Sequence, residues 1–414
     1  MNKAQRRRRR RRREAARAEK RLSKRSQALD FRDNFSAASL WLAAKSCRSG
    51  VTWKRSVQRF MASSWGRCVE LSRQVDDGRY HKTPPRCFFL TERGKRRLIS
   101  PVCFRDRVVE RATCTNVLLP LLEPEMSYDN AASRVGKGAE FARERLRRAL
   151  SREARTHPEA CVVMYDFHDY FGSIPNDRVM AELDGRVRGI ADADGRSEDA
   201  DKLCSLLRQF VCESKGLGLG NQTSQVCAIW WASPIDHWLS EVARAPNGRY
   251  MDDGWAIFPD RESALRGLDA LRSMSERLGL ELNERKTRVV AVTHEVTYLK
   301  CVFRAYPTGR VSVRVLSSAL KRWRRHSRSV ARLCARGEIT SEDLERCLAS
   351  RKSLALRCPS KERRRLMRLL DKVADECMAI ASATEVVQGD TEDGLFARQD
   401  WRFWRDRLRK SEGR

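Results

Sequence analysis

Histidine is scarce in this 414-residue chain, with six in all, and none of its 14 cysteines forms a CxxC pair. Zinc sites draw on closely spaced Cys and His ligands, so no zinc module is expected. The thiols are expected to be reduced and mostly buried. Long apolar runs are missing as well. No uncharged stretch approaches the ~18 residues of a membrane span, and no apolar signal core follows the N-terminus. These absences predict a cytoplasmic protein without a membrane partner. No internal repeat is found. Acidic residues are the remaining deficit: 84 Lys and Arg face 54 Asp and Glu, a net charge of +30. A surplus of that size points to a polyanionic partner, nucleic acid foremost.

The surplus is uneven. Residues 1–26 hold 14 Lys and Arg against two Glu, with eight consecutive arginines from Arg6 to Arg13. Such a run repels itself and cannot pack, so residues 1–30 are read as a disordered basic arm. Apolar spacing predicts helices across residues 36–74 and 104–122, and a β-hairpin with a cationic tip over 86–100. Ala160 to Tyr165 reads as a short apolar strand ending at Asp166. Two helical stretches over 176–215 flank a polar segment, Ala191 to Asp201, read as a surface insertion. Gly216-Leu-Gly-Leu-Gly220 is a flexible loop feeding an apolar helix, Asn221 to Val242. Gly248 to Phe258 reads strand, turn, strand, with Asp253-Gly254 as the turn signal. A helix from Pro259 to Gly279 and a strand over 286–293 follow. A second hairpin spans 297–316, then a strongly basic helix 317–336, then at least two more helices to 383.

The order β-α-β-β-α-β is the split βαβ, ferredoxin-like arrangement. The predicted class is α+β. The expected divisions are N-terminal helices and a hairpin 31–158, a ferredoxin-like core 159–296 with an insertion at 177–215, a hairpin and helices 297–383, and a charged tail 384–414. In this topology the strand ending at Asp166 neighbours the hairpin carrying Asp252 and Asp253, so three carboxylates converge.

Strand extension activates a 3′-hydroxyl and expels pyrophosphate in line, work suited to two Mg²⁺ ions roughly 3.5–4 Å apart. Mg²⁺ takes hard oxygen ligands, usually one or two carboxylates plus substrate phosphates. Asp166 and Asp252 fit as bridging ligands, Asp253 as a supporting acid, and the Phe167 carbonyl as a further ligand; Mn²⁺ is an allowed substitute. Alone, Asp252-Asp253-Gly254 is an ordinary turn sequence.

Four segments come in fixed order: Asp166-Phe-His-Asp-Tyr-Phe171, Gly216 to Gln225, Arg249-Tyr-Met-Asp-Asp253 and Asn283-Glu-Arg-Lys-Thr287. From about residue 90 to 315 the chain resembles reverse transcriptases. That likeness implies a right-hand polymerase: fingers within 31–158, a ferredoxin-like palm over 159–296, and a primer-grip hairpin and helical thumb over 297–383. The resemblance implies RNA template, DNA or RNA primer, cDNA product and dNTPs as partners. It puts Phe171 at the steric gate against a 2′-hydroxyl, the group that distinguishes RNA from DNA; a core phenylalanine is the other reading. It implies that Lys286 protonates the leaving pyrophosphate, where a plain surface lysine is the other reading. Lys95, Arg96 and Arg97 match the fingers position that holds the triphosphate. Asp169, Tyr170, Leu219, Gly220 and Gln225 are implied nucleotide neighbours. Tyr250 and Met251, the grip Tyr298-Leu299-Lys300, and Lys321, Arg324 and Arg325 are implied primer-template contacts. Lys300 replaces the usual glycine, which puts the turn there in question.

Ser133-Arg-Val-Gly-Lys-Gly138, Ser224-Gln225, Leu219 and Arg105-Asp-Arg-Val-Val109 are similar to the diversity-generating retroelement branch and its group II intron relatives. That branch implies a bacterial or phage-encoded enzyme, adenine-directed copying errors and a small basic accessory protein. A phage-defence polymerase shares these motifs, and a basic RNA-binding protein with a dead palm is the alternative of another class.

Overall fold

The computed structural model describes residues 23, 25–84, 87–92, 95–99, 101–212, 216–356 and 360–382. The charged tail and most of the basic arm lie outside them, as do the side chains of Lys95 and Arg97.

Helices α1 (Ala37–Cys47), α2 (Arg55–Ala62) and α3 (Ser64–Asp76) bury Leu40, Ala44, Val57, Phe60, Leu71 and Val75. Strands β1 (Phe88–Glu92) and β2 (Lys95–Ile99) form the expected antiparallel hairpin, Phe88 opposite Ile99. Helix α4 (Phe104–Ala112) runs on through a π-helical turn at Thr113–Leu118 and a last turn at Leu119–Leu122. Helix α5 is Ala139–Thr156. Strand β3 (Cys161–His168) is buried along seven of its eight residues, the burial of a strand covered on both faces. It runs two residues past Asp166, so that acid lies within the strand rather than at its end.

Helices α6 (Asn176–Asp194) and α7 (Ser197–Val211) meet at Gly195, whose φ of 67° ends the first. The segment read as a polar insertion is thus mostly helical: Ala191 and Ala200 are buried and hold it down. Asn221 caps α8 (Gln222–Trp231) through the Ser224 amide at 3.2 Å. Strands β4 (Asn247–Tyr250) and β5 (Asp253–Phe258) pair through Tyr250 and Asp253. The turn is therefore Met251-Asp252, not the expected Asp253-Gly254, and Met251 takes the positive φ of 58°. Gly254 is reserved for packing: a Cβ there would meet the Tyr165 ring at 2.1 Å. Asp260 caps α9 (Arg261–Arg277), accepting from the Ser263 amide at 2.7 Å. Strands β6 (Glu281–Leu282) and β7 (Arg288–Ala291) complete a sheet ordered β4-β5-β3-β6, with β7 also pairing β3. This is the split βαβ order, its last strand broken in two.

The chain forms two compact units, Met1–Ala142 with Val162–Val289, and Arg143–Cys161 with Val290–Arg414. The second unit contains most of α5 and a three-stranded meander, β8 (Glu295–Tyr298), β9 (Cys301–Ala305) and β10 (Val311–Val315). The Ser151 hydroxyl donates to the Gly309 carbonyl at 2.6 Å, joining α5 to the meander. Helices α10 (Ser317–Ala335), α11 (Ser341–Leu356) and α12 (Ser360–Ser382) follow. One of their cores gathers Val330, Ala331, Leu344, Cys347, Val373 and Cys377; the other gathers Val315, Ala319, Ala355 and Leu366. Arg328 of α10 bonds Glu376 of α12 at 2.7 Å. No helix of the described residues is long and apolar enough to cross a membrane. Cys68, Cys114, Cys204 and Cys227 are buried thiols, and burial raises the Cys204 and Cys227 pKa values to about 12, which keeps them protonated and inert.

Candidate active site

Asp166, Asp252, Asp253 and Lys286 come together in the first unit. Strands β3 and β5 are neighbours, and the Phe167 amide donates to the Asp252 carbonyl at 3.3 Å. Asp166 is buried, and Lys286 Nζ stands 2.7 Å from both of its oxygens. Asn283 holds the same carboxylate from the side, Nδ2 to Oδ1 at 3.2 Å, and its amide donates to the Asp166 carbonyl at 2.7 Å. Burial first, and then the charges of Asp252 and Asp166 with a hydrogen bond to Asp166, raise the Asp253 pKa from 3.8 to about 7. Burial opposes the charge on Lys286, but the bond and charge of Asp166 outweigh it and raise its pKa. Asp252 at the turn and Asp253 at the start of β5 are both half-buried, and Asp253 hydrogen-bonds Asp166.

Crowded carboxylates repel unless a cation sits among them, which here is the Lys286 ammonium. The hard-oxygen donor set fits Mg²⁺ as its charge balance. Among the described residues, no group of three or more His, Cys, Asp and Glu side chains could hold a metal ion by itself. The fit is with an ion that takes one or two carboxylates and finds its other ligands on substrate phosphates.

Two backbone approaches fix the loop beside Phe171. Leu217 N donates to the Phe171 carbonyl at 2.8 Å. Gly216 lies so close to Gly172 that a Cβ would come within 2.4 Å of its carbonyl oxygen. The loop carrying Leu219 and Gly220 is thereby held beside Phe171, whose ring is half-buried edge-on to Tyr170. Tyr170 is buried, stacks on Phe167 and gives its hydroxyl to the Ala228 carbonyl. Asp169 adopts a left-handed φ of 39°, its carboxylate folded over Gly172. Gln225 is half-buried and accepts from the Ser133 hydroxyl at 3.1 Å. On the fingers hairpin, the Arg96 guanidinium lies over the Phe89 ring at 3.7 Å.

In the second unit, Leu299 and Lys300 form the β8–β9 turn with φ of 45° and 67°. Lysine does adopt the conformation that favours glycine, and Arg143 steadies it with a 3.5 Å bond to the Leu299 carbonyl. Tyr298 is buried. Lys321 and Arg325 are exposed on α10, and Arg324 is half-buried.

Two supporting residues carry no role in the sequence reading. Arg249 is 1% exposed. It pairs with buried Asp236 at 2.7 Å, and donates to the Ile229 carbonyl at 2.8 Å, the Tyr170 hydroxyl at 3.1 Å and the Met251 carbonyl at 3.0 Å. It thus ties the strained turn before Asp252 to the apolar helix behind. Burial disfavours its charge, but Asp236 outweighs that and its pKa is raised. Glu110, also buried, accepts from the Thr223 amide at 2.9 Å and hydroxyl at 3.0 Å, closing the N-terminus of α8. The available signal was a lone arginine in an otherwise uncharged strand, a residue type rarely buried unless paired; Glu110 lies in a charged helix, Phe104–Ala112, whose sequence does not single it out.

A ferredoxin-like palm with this acid cluster has the fold of a reverse transcriptase. The family described as reverse transcriptase (RNA-dependent DNA polymerase) matches residues 81–303, more than half of the chain, and the chain belongs to that family. Solved structures similar to it include a telomerase from Candida albicans, in complex with a fragment of telomeric RNA, at 11% identity and a TM-score of 0.45, covering 80% of this chain and 59% of that one. An apo telomerase from Candida tropicalis is similar at 13% identity and a TM-score of 0.42, over 80% and 64%. The chain spans less than two thirds of either structure. No curated protein matches it.

Proposed function

We propose that the chain is an RNA-directed DNA polymerase that extends a DNA or RNA primer on an RNA template with dNTPs. The observation that carries this reading is the juxtaposition of Asp166, Asp253 and Lys286, with Asp252 on the adjoining turn. Asp166, Asp252, Asp253 and the Phe167 carbonyl would hold two Mg²⁺, with Mn²⁺ able to substitute. When bound, the ions supply Lewis-acid activation of the 3′-hydroxyl and charge neutralisation at the phosphates. Lys286 is the proton donor for the leaving pyrophosphate, Phe171 excludes the 2′-hydroxyl, and Lys95, Arg96 and Arg97 hold the triphosphate. The Tyr298-Leu299-Lys300 turn and the basic face of α10 hold the primer-template.

The finer reading is a diversity-generating retroelement enzyme, cytoplasmic and prokaryotic, working with a small basic accessory protein. It rests on Leu219 and on the Ser133–Gln225 contact between two segments similar to that branch. A polymerase of phage defence is the second reading, separated by sequencing the cDNA for adenine errors and by whether Leu219→Gln removes them.

Primer extension on an RNA template with Mg²⁺ tests the polymerase reading. Wild type extends with dNTPs and not rNTPs, and Phe171→Val admits rNTPs. The Asp252→Ala, Asp253→Ala variant stops extension and keeps RNA affinity. Extension by that variant at the wild-type rate refutes the site assignment.

A further inference from the structure

On α5 and the meander of the second unit, several arginines are held in ion pairs within the fold and three exposed ones are not. Arg147 and Arg148 of α5 bond Glu144, Arg152 bonds Glu153, and Arg314 of β10 bonds Glu295. Arg155, Arg304 and Arg310 make no ion pair among the described residues, and all three are exposed. They gather at one place, the β9–β10 turn and the last turn of α5. The guanidinium carbons of Arg304 and Arg310 lie 5.6 and 5.0 Å from the centre of the half-buried Tyr306 ring. A Cβ at Gly309 would meet the Arg155 side chain at 3.6 Å.

The turn is rigid. Tyr306 N donates to the Arg310 carbonyl at 2.9 Å, and Gly309 N to the Tyr306 carbonyl at 2.8 Å. The Ser151 hydroxyl fixes the Gly309 carbonyl. Gly309 has a φ of 79°, and a Cβ there would also approach the Ser151 carbonyl at 3.0 Å. Three like charges held together repel one another, and a fixed polyanion relieves the repulsion at little ordering cost.

We infer that Tyr306, Arg304, Arg310 and Arg155 form a binding site for single-stranded RNA, separate from the acid cluster of the first unit. Phosphates pair with the guanidinium groups, and a base stacks on the tyrosine ring or on a guanidinium plane. Stacking requires unpaired bases, which favours a single strand over a duplex. The assignment to RNA rests on the template proposed above; the site would hold a flank of that template.

The test is fluorescence anisotropy of a labelled, unstructured RNA on the full chain across a salt series. Arg155→Gln, Arg304→Gln and Arg310→Gln together are compared with Arg147→Gln, Arg148→Gln and Arg152→Gln, an equal loss of charge from paired positions. The first set is expected to flatten the plot of log affinity against log salt by about 2, from ~0.7 per phosphate contact. The second set is expected to change it less. Tyr306→Ala is expected to weaken binding roughly tenfold or more. Equal slopes for the two sets, or no effect of Tyr306→Ala, overturn the proposal, as does preferential binding of single-stranded DNA. Melting temperatures equal to wild type show that the variants fold. Binding is read without polymerisation, so a wild type that fails primer extension refutes the polymerase reading and leaves these slopes to decide the site.

Discussion

Gly254→Ala tests how closely the acids depend on strand packing. Tyr165 precedes Asp166 on β3, and Gly254 follows Asp253 on β5. The added methyl carbon would lie 2.1 Å from Tyr165 Cζ, 2.4 Å from Cε2 and 2.5 Å from the hydroxyl oxygen. Ordinary contact begins near 3.4 Å, so ring and strand must part by roughly 1 Å. Tyr165 is 2% exposed, so its ring cannot turn out to solvent without opening the core. Overpacking of this kind costs about 1–3 kcal/mol, a fall of roughly 2–10 °C in melting temperature for a unit of this size. The same displacement separates Asp253 from Asp166, and misplacement by ~1 Å can cost ~10²-fold in rate. Thermal melting and single-turnover primer extension read the two effects separately. Tyr165→Leu in the Gly254→Ala background returns part of both by removing the ring edge. A Gly254→Ala protein that melts and extends as wild type refutes the packing argument. One that melts lower but extends normally refutes the link between this contact and the acids.

Arg249→Met alone leaves Asp236 buried and unpaired, at a cost of about 3–5 kcal/mol. Arg249→Met with Asp236→Leu recovers most of that stability in a melt, yet needs more Mg²⁺ for half-maximal extension, because the Met251 carbonyl has lost its donor. A fully recovered Mg²⁺ requirement would show the pair to be purely structural. Asp253, raised to about 7 from 3.8, favours the folded metal-free chain below pH 4 and loses that contribution as pH rises through 7. Asp253→Asn therefore stabilises the metal-free protein at pH 8 and not at pH 4, by at most ~4 kcal/mol at ~1.4 kcal/mol per unit, read as a higher melting temperature at pH 8 only; equal melts at pH 8 refute the shift. Arg143→Ala removes the donor to the Leu299 carbonyl and is expected to raise the primer KM severalfold with little change in dNTP KM. Equal changes in both would place the Leu299–Lys300 turn outside primer binding.

The sequence made the palm legible because its strands and helices differ in period. Cys161 to Tyr165 is a continuous apolar run, and Ala264, Leu268 and Leu271 recur at helical spacing, so strand order and the meeting of the acids could both be read. The β4–β5 turn lies two residues before the one the Asp253-Gly254 signal predicts. Asp-Gly is the usual hairpin signal, but here the glycine is held by a tyrosine ring from another strand, which local turn chemistry does not reveal. The burial of Tyr170 was illegible for a related reason: an aromatic residue beside Phe171 can face solvent or core, and its partners, the Ala228 carbonyl and Arg249, come from other elements. Arg249 and Asp236 lie 13 residues apart, and their pairing depends on how the apolar helix packs on β4.

The division of the chain has a consequence for synthesis. Helix α5 leaves the ribosome early with Leu146, Leu150 and Ala154, all of which end fully buried. The unit it belongs to is otherwise made of Val290 onward. Until those residues emerge, the nascent chain carries an uncovered apolar stripe between the two halves of its first unit. A chain ending near residue 289 retains that stripe and is expected to be bound by chaperones or to aggregate.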